Sequence, residues 1–163
     1  MRVFAATGSR GFSFERLIRA LDNADFKQCC SERVDMFVQI GSSSYIPKNL
    51  AYIDFLPSEE FAKRMDWADV VVTHGGTGAI VGALLKGKKV VAVPRLSKFH
   101  EAVDDHQVEF LKILAERNFI VACFDLEEIA SCVATAYSSE FAKFESNTNN
   151  IIESISEFID MSF

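Results

Sequence analysis

The chain has 163 residues, a formal net charge of −6, 49% apolar and 25% charged residues, enough for one domain with a core and too short for two ordinary ones. No basic run stands out, so nucleic acid is not expected as a partner and anionic lipid is not held by charge alone. No apolar run is long enough to span a bilayer and no signal peptide is read, so a cytoplasmic location is expected, with any attachment to the inner face of a membrane made through a partner.

Strand and helix signals alternate from the first residue. Met1–Thr7 reads as a buried strand ending in the turn Gly8-Ser9-Arg10-Gly11, and Phe14–Leu21 has the apolar spacing of a helix. Val34–Ile40 is a second strand and Ala51–Phe55 a short third. Pro57-Ser58-Glu59-Glu60 looks like a helix start with Ser58 as cap, the helix running through Trp67. Asp69–Thr73 is the best strand of the chain, followed by His74-Gly75-Gly76-Thr77-Gly78 and a small-residue helix, Ala79–Lys86, that Gly87 stops. Lys89–Pro94 is a buried strand, Asp104–Arg117 a long amphipathic helix, Phe119–Phe124 a strand and Leu126–Tyr137 a helix. The polar stretch Ser146–Asn150 leads to a last helix with Ile151, Ile152, Ile155, Phe158 and Ile159 apolar. The reading is one Rossmann-like α/β domain over residues 1–146, with a parallel sheet covered on both faces, and a helical tail over 147–163.

In such sheets ligands sit at the carboxyl ends of the strands. The three glycines among Gly75, Gly76, Thr77 and Gly78 lie between a strand and a helix N-terminus, where free N–H groups and the helix dipole suit a diphosphate; a tight turn with no ligand has the same sequence. The dinucleotide fingerprint is absent, because Gly8-Ser9-Arg10-Gly11 has the wrong spacing and the second strand ends in Gln39-Ile40-Gly41 without a carboxylate. Asp104 and Asp105 read as helix caps, yet Asp105, His106 and Gln107 also carry hydrogen-bonding groups suited to sugar hydroxyls. His74 and Glu101 are candidate bases. With 3 histidines, no paired ligand spacing and no C-x-x-C among 4 cysteines, no metal and no cofactor is expected. The 15 phenylalanines fill a core or mark a contact surface.

The run from Asp66 through Gly76 (DWADVVVTHGG), then Gly87-Lys88, Val93-Pro94 and Asp105-His106-Gln107, resembles the C-terminal domain of glycosyltransferase family 28 over roughly residues 1–124. The resemblance is to the free-standing split type: bacterial capsule or exopolysaccharide subunits of the PssE and EpsF kind, suggested by Thr7-Gly8-Ser9, Phe14-Glu15-Arg16-Leu17 and Val93-Pro94-Arg95. The chain is similar also to the catalytic subunit of the dolichol-linked N-acetylglucosaminyltransferase and to the MurG C-terminal domain. It implies the donor-binding half of a GT-B fold. The donor would be a UDP-sugar, and a membrane-anchored partner subunit would hold a polyprenyl-pyrophosphate-linked sugar acceptor. By that resemblance Gly76, Thr77 and Gly78 cradle the diphosphate, the backbone near Phe55 and Leu56 meets the uracil, Gly8 and Ser9 line the crevice, and His106 and Gln107 face the sugar; Gly75, Arg95 and Asp105 are further candidates for binding the donor. The family's ribose-binding glutamate falls at Gly82. The expected activity is inverting sugar transfer in polysaccharide biosynthesis. The alternative is a non-catalytic activating or nucleotide-binding partner of a glycosyltransferase. Alone, a surface built for a partner would make the chain prone to self-association.

Overall fold

Apolar runs, two of them rich in valine, form the sheet. In a computed structural model that describes residues 1–8 and 11–146, six strands, β1 (Arg2–Ala6), β2 (Asp35–Gln39), β3 (Ala51–Ile53), β4 (Val70–His74), β5 (Lys89–Val93) and β6 (Val121–Ala122), pair in parallel in the order β3-β2-β1-β4-β5-β6. β1 sits in the middle. Val3 is in register with Met36 on one side and Val70 on the other. Because side chains alternate along a strand, β1 feeds both faces of the sheet. Val3 and Ala5 join Val70, Val72, Val91 and Val93 under α1 (Glu15–Asn23) and α6 (Ile129–Ser138) through Leu17, Ile18, Leu21, Ile129 and Val133. Phe4 and Ala6 join Val71, Val90 and Ala92 on the other face. There they pack on Met65 of α3 (Ser58–Trp67), Ile80 and Ala83 of α4 (Thr77–Leu85), and Leu111 of α5 (His106–Glu116). A four-residue α2 (Phe26–Cys29) and 3₁₀ turns at Ser97–Phe99 and Leu126–Glu128 complete the described elements. The fold expected from sequence is therefore the one present.

Its boundaries differ in informative places. Pro57, not Ser58, occupies the N-cap position of α3, and it offers no side-chain acceptor; Ser58 is already helical. α4 begins at Thr77, two residues before the apolar run, so Thr77 and Gly78 lie in its first turn. α5 begins at His106, because both aspartates before it are turned to other backbone groups: Asp104 Oδ1 accepts from His106 N–H at 3.2 Å and Asp105 Oδ1 from Ser97 N–H at 2.7 Å. β3 and β6 are shorter than the runs Ala51–Phe55 and Phe119–Phe124 that predicted them. Gly87 ends α4 region as expected, with φ +65°. All four cysteines are free thiols. No described helix is long and apolar enough to cross a membrane. The tail over 147–163, with its expected helix around Ile151–Ile159, lies outside the described residues.

Candidate functional site

A cleft of about 800 Å³ opens at the carboxyl ends of the strands. Its floor is the turn between β4 and α4, and its size is that of a pocket for a ligand of several hundred daltons. Gly8, Phe55, Leu56, His74, Gly75, Gly76, Thr77, Gly78, Arg95, Glu101, His106 and Gln107 line it, which gathers residues from all along the chain. Ser9 lies outside the described residues. Asp105 is not on the wall; Asp104, beside it, is, together with Phe12, Gln39, Ser58 and Phe61.

The glycines are required by what stands next to them. A Cβ on Gly76 would lie 2.3 Å from His74 Nε2, and one on Gly75 would lie 2.7 Å from Gln107 Oε1. Two side chains therefore occupy the space where any other residue would place its own. With Gly76 at the N-cap and Ile80 N–H making the first described backbone bond back to Gly76 O (3.2 Å), the N–H groups of Thr77, Gly78 and Ala79 have no intrahelical acceptor. They sit on the cleft wall, at the positive end of the helix dipole.

Gln107 holds this turn to the next strand. It is buried, and its Oε1 accepts the Arg95 N–H at 2.9 Å, so α5 is tied to the end of β5 across the glycine turn. The side chain expected to reach a sugar thus has its carbonyl oxygen committed to the protein, which leaves the amide NH₂ as the group it can offer. Gln39 does a similar thing on the other side: its buried Oε1 accepts the Leu56 N–H at 3.0 Å and fixes the backbone at Phe55–Leu56. The Leu56 N–H is therefore already used.

Charge behind the wall is arranged around Glu101. Its carboxylate is buried and accepts Arg16 Nε at 3.1 Å, Arg16 Nη2 at 2.9 Å and the Leu96 N–H at 3.1 Å. This bidentate pair fixes the loop after β5 to α1, and both oxygens are engaged, a poor arrangement for a base. Arg95 lies 5% exposed, with Nη2 donating to Thr7 O at 2.5 Å and Phe12 O at 3.1 Å, while Nε has no acceptor among the described residues. Burial pushes its guanidinium below the usual arginine range, and Glu101 pulls the other way. Two guanidinium groups and one carboxylate leave a net positive charge behind the cleft, which favours an anionic ligand.

The histidines differ. His74 is confined beside Gly8 and Gly76, with Nδ1 3.4 Å from Thr73 Oγ1. His106 stands at the mouth, its Nδ1 against the Asp104 carboxylate, and this contact with the imidazole, ahead of the His106 N–H, holds the Asp104 carboxyl below the usual carboxylate range. The Asp104–His106 contact was not read from the sequence, where Asp104 reads as a cap; a histidine two residues after an aspartate at a helix start is the signal that was there.

The model of the glycosyltransferase family 28 C-terminal domain matches residues 2–161. Among solved structures, MurG of Acinetobacter baumannii is similar over 96% of this chain and 49% of its own, with a TM-score of 0.59 and 18% identity. The glycotransferase of kitacinnamycin is similar over 85% of this chain and 35% of its own, with a TM-score of 0.60 and 18% identity. The spinosyn forosaminyltransferase SpnP gives a TM-score of 0.57 at 14% identity, over 85% of this chain and 35% of its own. At such identities the likeness is one of fold, and the chain spans between about a third and a half of these proteins' length. No curated protein matches it.

Proposed function

The chain belongs to the glycosyltransferase family 28 C-terminal domain family, and from that premise we propose that it is the donor-binding subunit of a two-component inverting glycosyltransferase. The donor is a UDP-sugar and the acceptor a polyprenyl-pyrophosphate-linked saccharide held by a membrane-anchored partner subunit. The observation that carries this reading is the turn His74–Gly78: its Cβ-free backbone and the open N–H groups of α4 face a cleft backed by net positive charge.

The chemistry follows from that placement. With the diphosphate against Thr77, Gly78 and Ala79, the acceptor hydroxyl attacks the anomeric carbon from the opposite side. The bond to the diphosphate breaks, and the charge that gathers on UDP is met by preorganised amides and by the buried Arg95 field. These donors take the part a divalent cation plays elsewhere, so a chelator is expected to leave transfer unchanged. A second subunit is taken as the source of the acceptor-binding surface. This chain would then work at the cytoplasmic membrane face, recruited through that subunit.

Calorimetry with UDP, ATP and NAD tests the donor half of the proposal, with UDP expected to bind and the others not. Transfer to lipid-pyrophosphate saccharide with and without the partner tests the rest. Full activity from the lone chain would refute the two-component reading, and a UDP-binding but inactive mixture would favour a non-catalytic partner.

A further inference from the structure

The two edges of the sheet are treated differently. Beside β6 the chain after α6 passes from one face to the other: Phe141 packs on one core and Phe144 on the other, and Ala142 N–H donates to Asn118 O at 2.9 Å. β3 pairs only with β2 among the described residues, and every residue from Ala51 to Phe55 is exposed. Sheet edges are ordinarily blunted by charge, proline or a covering segment. Here Tyr52, Ile53 and Phe55 are 39%, 36% and 47% exposed, and Ile46 before them 52%. Ile53 O accepts the Ile40 N–H at 2.9 Å, so backbone alternation turns the N–H and C=O of Tyr52 away from β2.

We propose that this edge binds a second copy of the chain, β3 against β3 in antiparallel register about a two-fold axis. The occupant follows from the residues of the edge, which are complementary to themselves. With Ala51 on the axis, the outward backbone groups of Tyr52 face those of Leu50 of the second copy, an exchange made twice by symmetry. Tyr52, in register with Val38 on the α1 face, then lies on the same face as that apolar Leu50. Ala51 has its own N–H and C=O turned to β2, so it meets itself in a non-hydrogen-bonded pair. That is the closest approach in an antiparallel ladder, where a small side chain fits. Three positions from the axis on either side, Lys48 faces Asp54 of the second copy. Both side chains are exposed, neither makes an ion pair among the described residues, and the Lys48 charge acts on the buried Asp22 carboxylate only through space. The neighbouring register, with Tyr52 on the axis, would set Lys48 against Leu56 and Asp54 against Leu50, leaving both charges unpaired. The pairing needs neither donor nor acceptor and stands apart from the glycosyltransferase reading.

The test is sedimentation velocity of the full chain across a wide range of micromolar concentrations. The expected result is a reversible monomer–dimer equilibrium. Lys48→Glu and Asp54→Lys each set like charges opposite one another at both ends of the pairing, so each should raise Kd by at least about tenfold. Combined, they should restore Kd to within about threefold of the parent. Circular dichroism and thermal melts of each variant separate a lost contact from a lost fold. Ala51→Cys, made together with Cys29→Ser and Cys30→Ser, should give an inter-chain disulfide with glutathione disulfide as the oxidant, since opposite Cα atoms in such a pair lie about 4.5 Å apart. Leu85→Cys in the same background, exposed but away from β3, should not. A chain that stays monomeric at every concentration overturns the proposal and leaves the edge to residues 147–163 or to a different protein. A dimer that ignores both charge reversals, or that does not cross-link through Ala51→Cys, overturns the β3 interface.

Discussion

Gly76→Ala adds one methyl group at the most crowded point of the cleft floor. Its Cβ would lie 2.3 Å from His74 Nε2, 2.9 Å from Cδ2 and 3.0 Å from Cε1. Non-bonded carbon contacts have their optimum near 3.5–4.0 Å, so the ring would have to retreat by roughly 1 Å. It is confined on another side as well, because a Cβ at Gly8 would come within 2.8 Å of Cε1 of the same ring. Backbone strain adds nothing, since Gly76 has φ −78°, open to any residue. The cost is therefore that of overpacking, about 1–3 kcal/mol, or a fall in Tm of about 3–10 °C for a domain of this size. UDP affinity is expected to fall by at least about tenfold, the equivalent of 1.4 kcal/mol, since the displaced ring or the new methyl enters the diphosphate's place. Thermal melts followed by circular dichroism and calorimetry with UDP read both effects. The clash also makes a signed demand on the double variant. With His74→Ala in the background the methyl has room, so Gly76→Ala should then cost almost nothing, and the cycle should show a coupling of about 1–3 kcal/mol. Additive losses, or a Gly76→Ala chain that melts with the parent and binds UDP as tightly, would refute the argument.

Glu101→Gln removes the charge that neutralises Arg16 beside the buried Arg95, and is expected to destabilise the fold by about 3 kcal/mol in denaturant titration, because breaking a buried pair strands its partner. Gly82→Glu enters space with nothing within 4 Å of its Cβ. It replaces a helix-interior glycine and introduces the side chain that the resemblance implies at that position, so it should tighten UDP binding by about tenfold or more, and an unchanged Kd would remove the ribose from that position. Burial acts to raise the Asp22 carboxyl, but the Tyr45 hydroxyl and the N–H groups of Lys48 and Asn49 outweigh it and hold the group below the usual carboxylate range. Its stabilisation is then full above the unfolded value of about 3.9 and is lost as pH falls through the lower folded value. Asp22→Asn should cost about 2 kcal/mol at pH 7, and urea titrations at falling pH should show that gap closing only below about pH 4.

What the sequence disclosed depended on how local the cause was. β1, β4 and β5 are runs of apolar residues buried on both faces, and they were visible as such. The glycine turn was visible too, because the need for bare backbone is written in the residue type. The reason for it was not, since His74 and Gln107 are the residues that fill the missing side-chain space and only the folded chain brings Gln107 there. Glu101 could be read as a candidate base because its partner Arg16 is 85 positions away. Ser58 looked like a cap because serine commonly is one, yet Pro57 ends the extended segment one residue earlier and leaves Ser58 on the cleft wall. Short β3 and β6 were over-extended for a related reason: apolar residues at sheet edges, such as Phe55 and Phe124, continue the pattern after the pairing has stopped.

The position of β1 has a consequence for how the chain assembles. As the middle strand it is synthesised first and completed late. β1, β2 and β3 come from residues 2–53 and can pair as soon as they exist. The other edge of β1 waits for β4, whose Asp69–Thr73 segment bonds back to Arg2 and Ala6 across 67 residues. Until then a ribbon carrying Val3, Phe4 and Ala5 presents unpaired backbone and apolar side chains, the kind of edge another chain can occupy. Closing a loop of that length is slow beside local helix formation. Nascent chains held at a length just short of β4 should therefore be the aggregation-prone ones, and release of Val70–His74 from the ribosome should be the step at which solubility is gained.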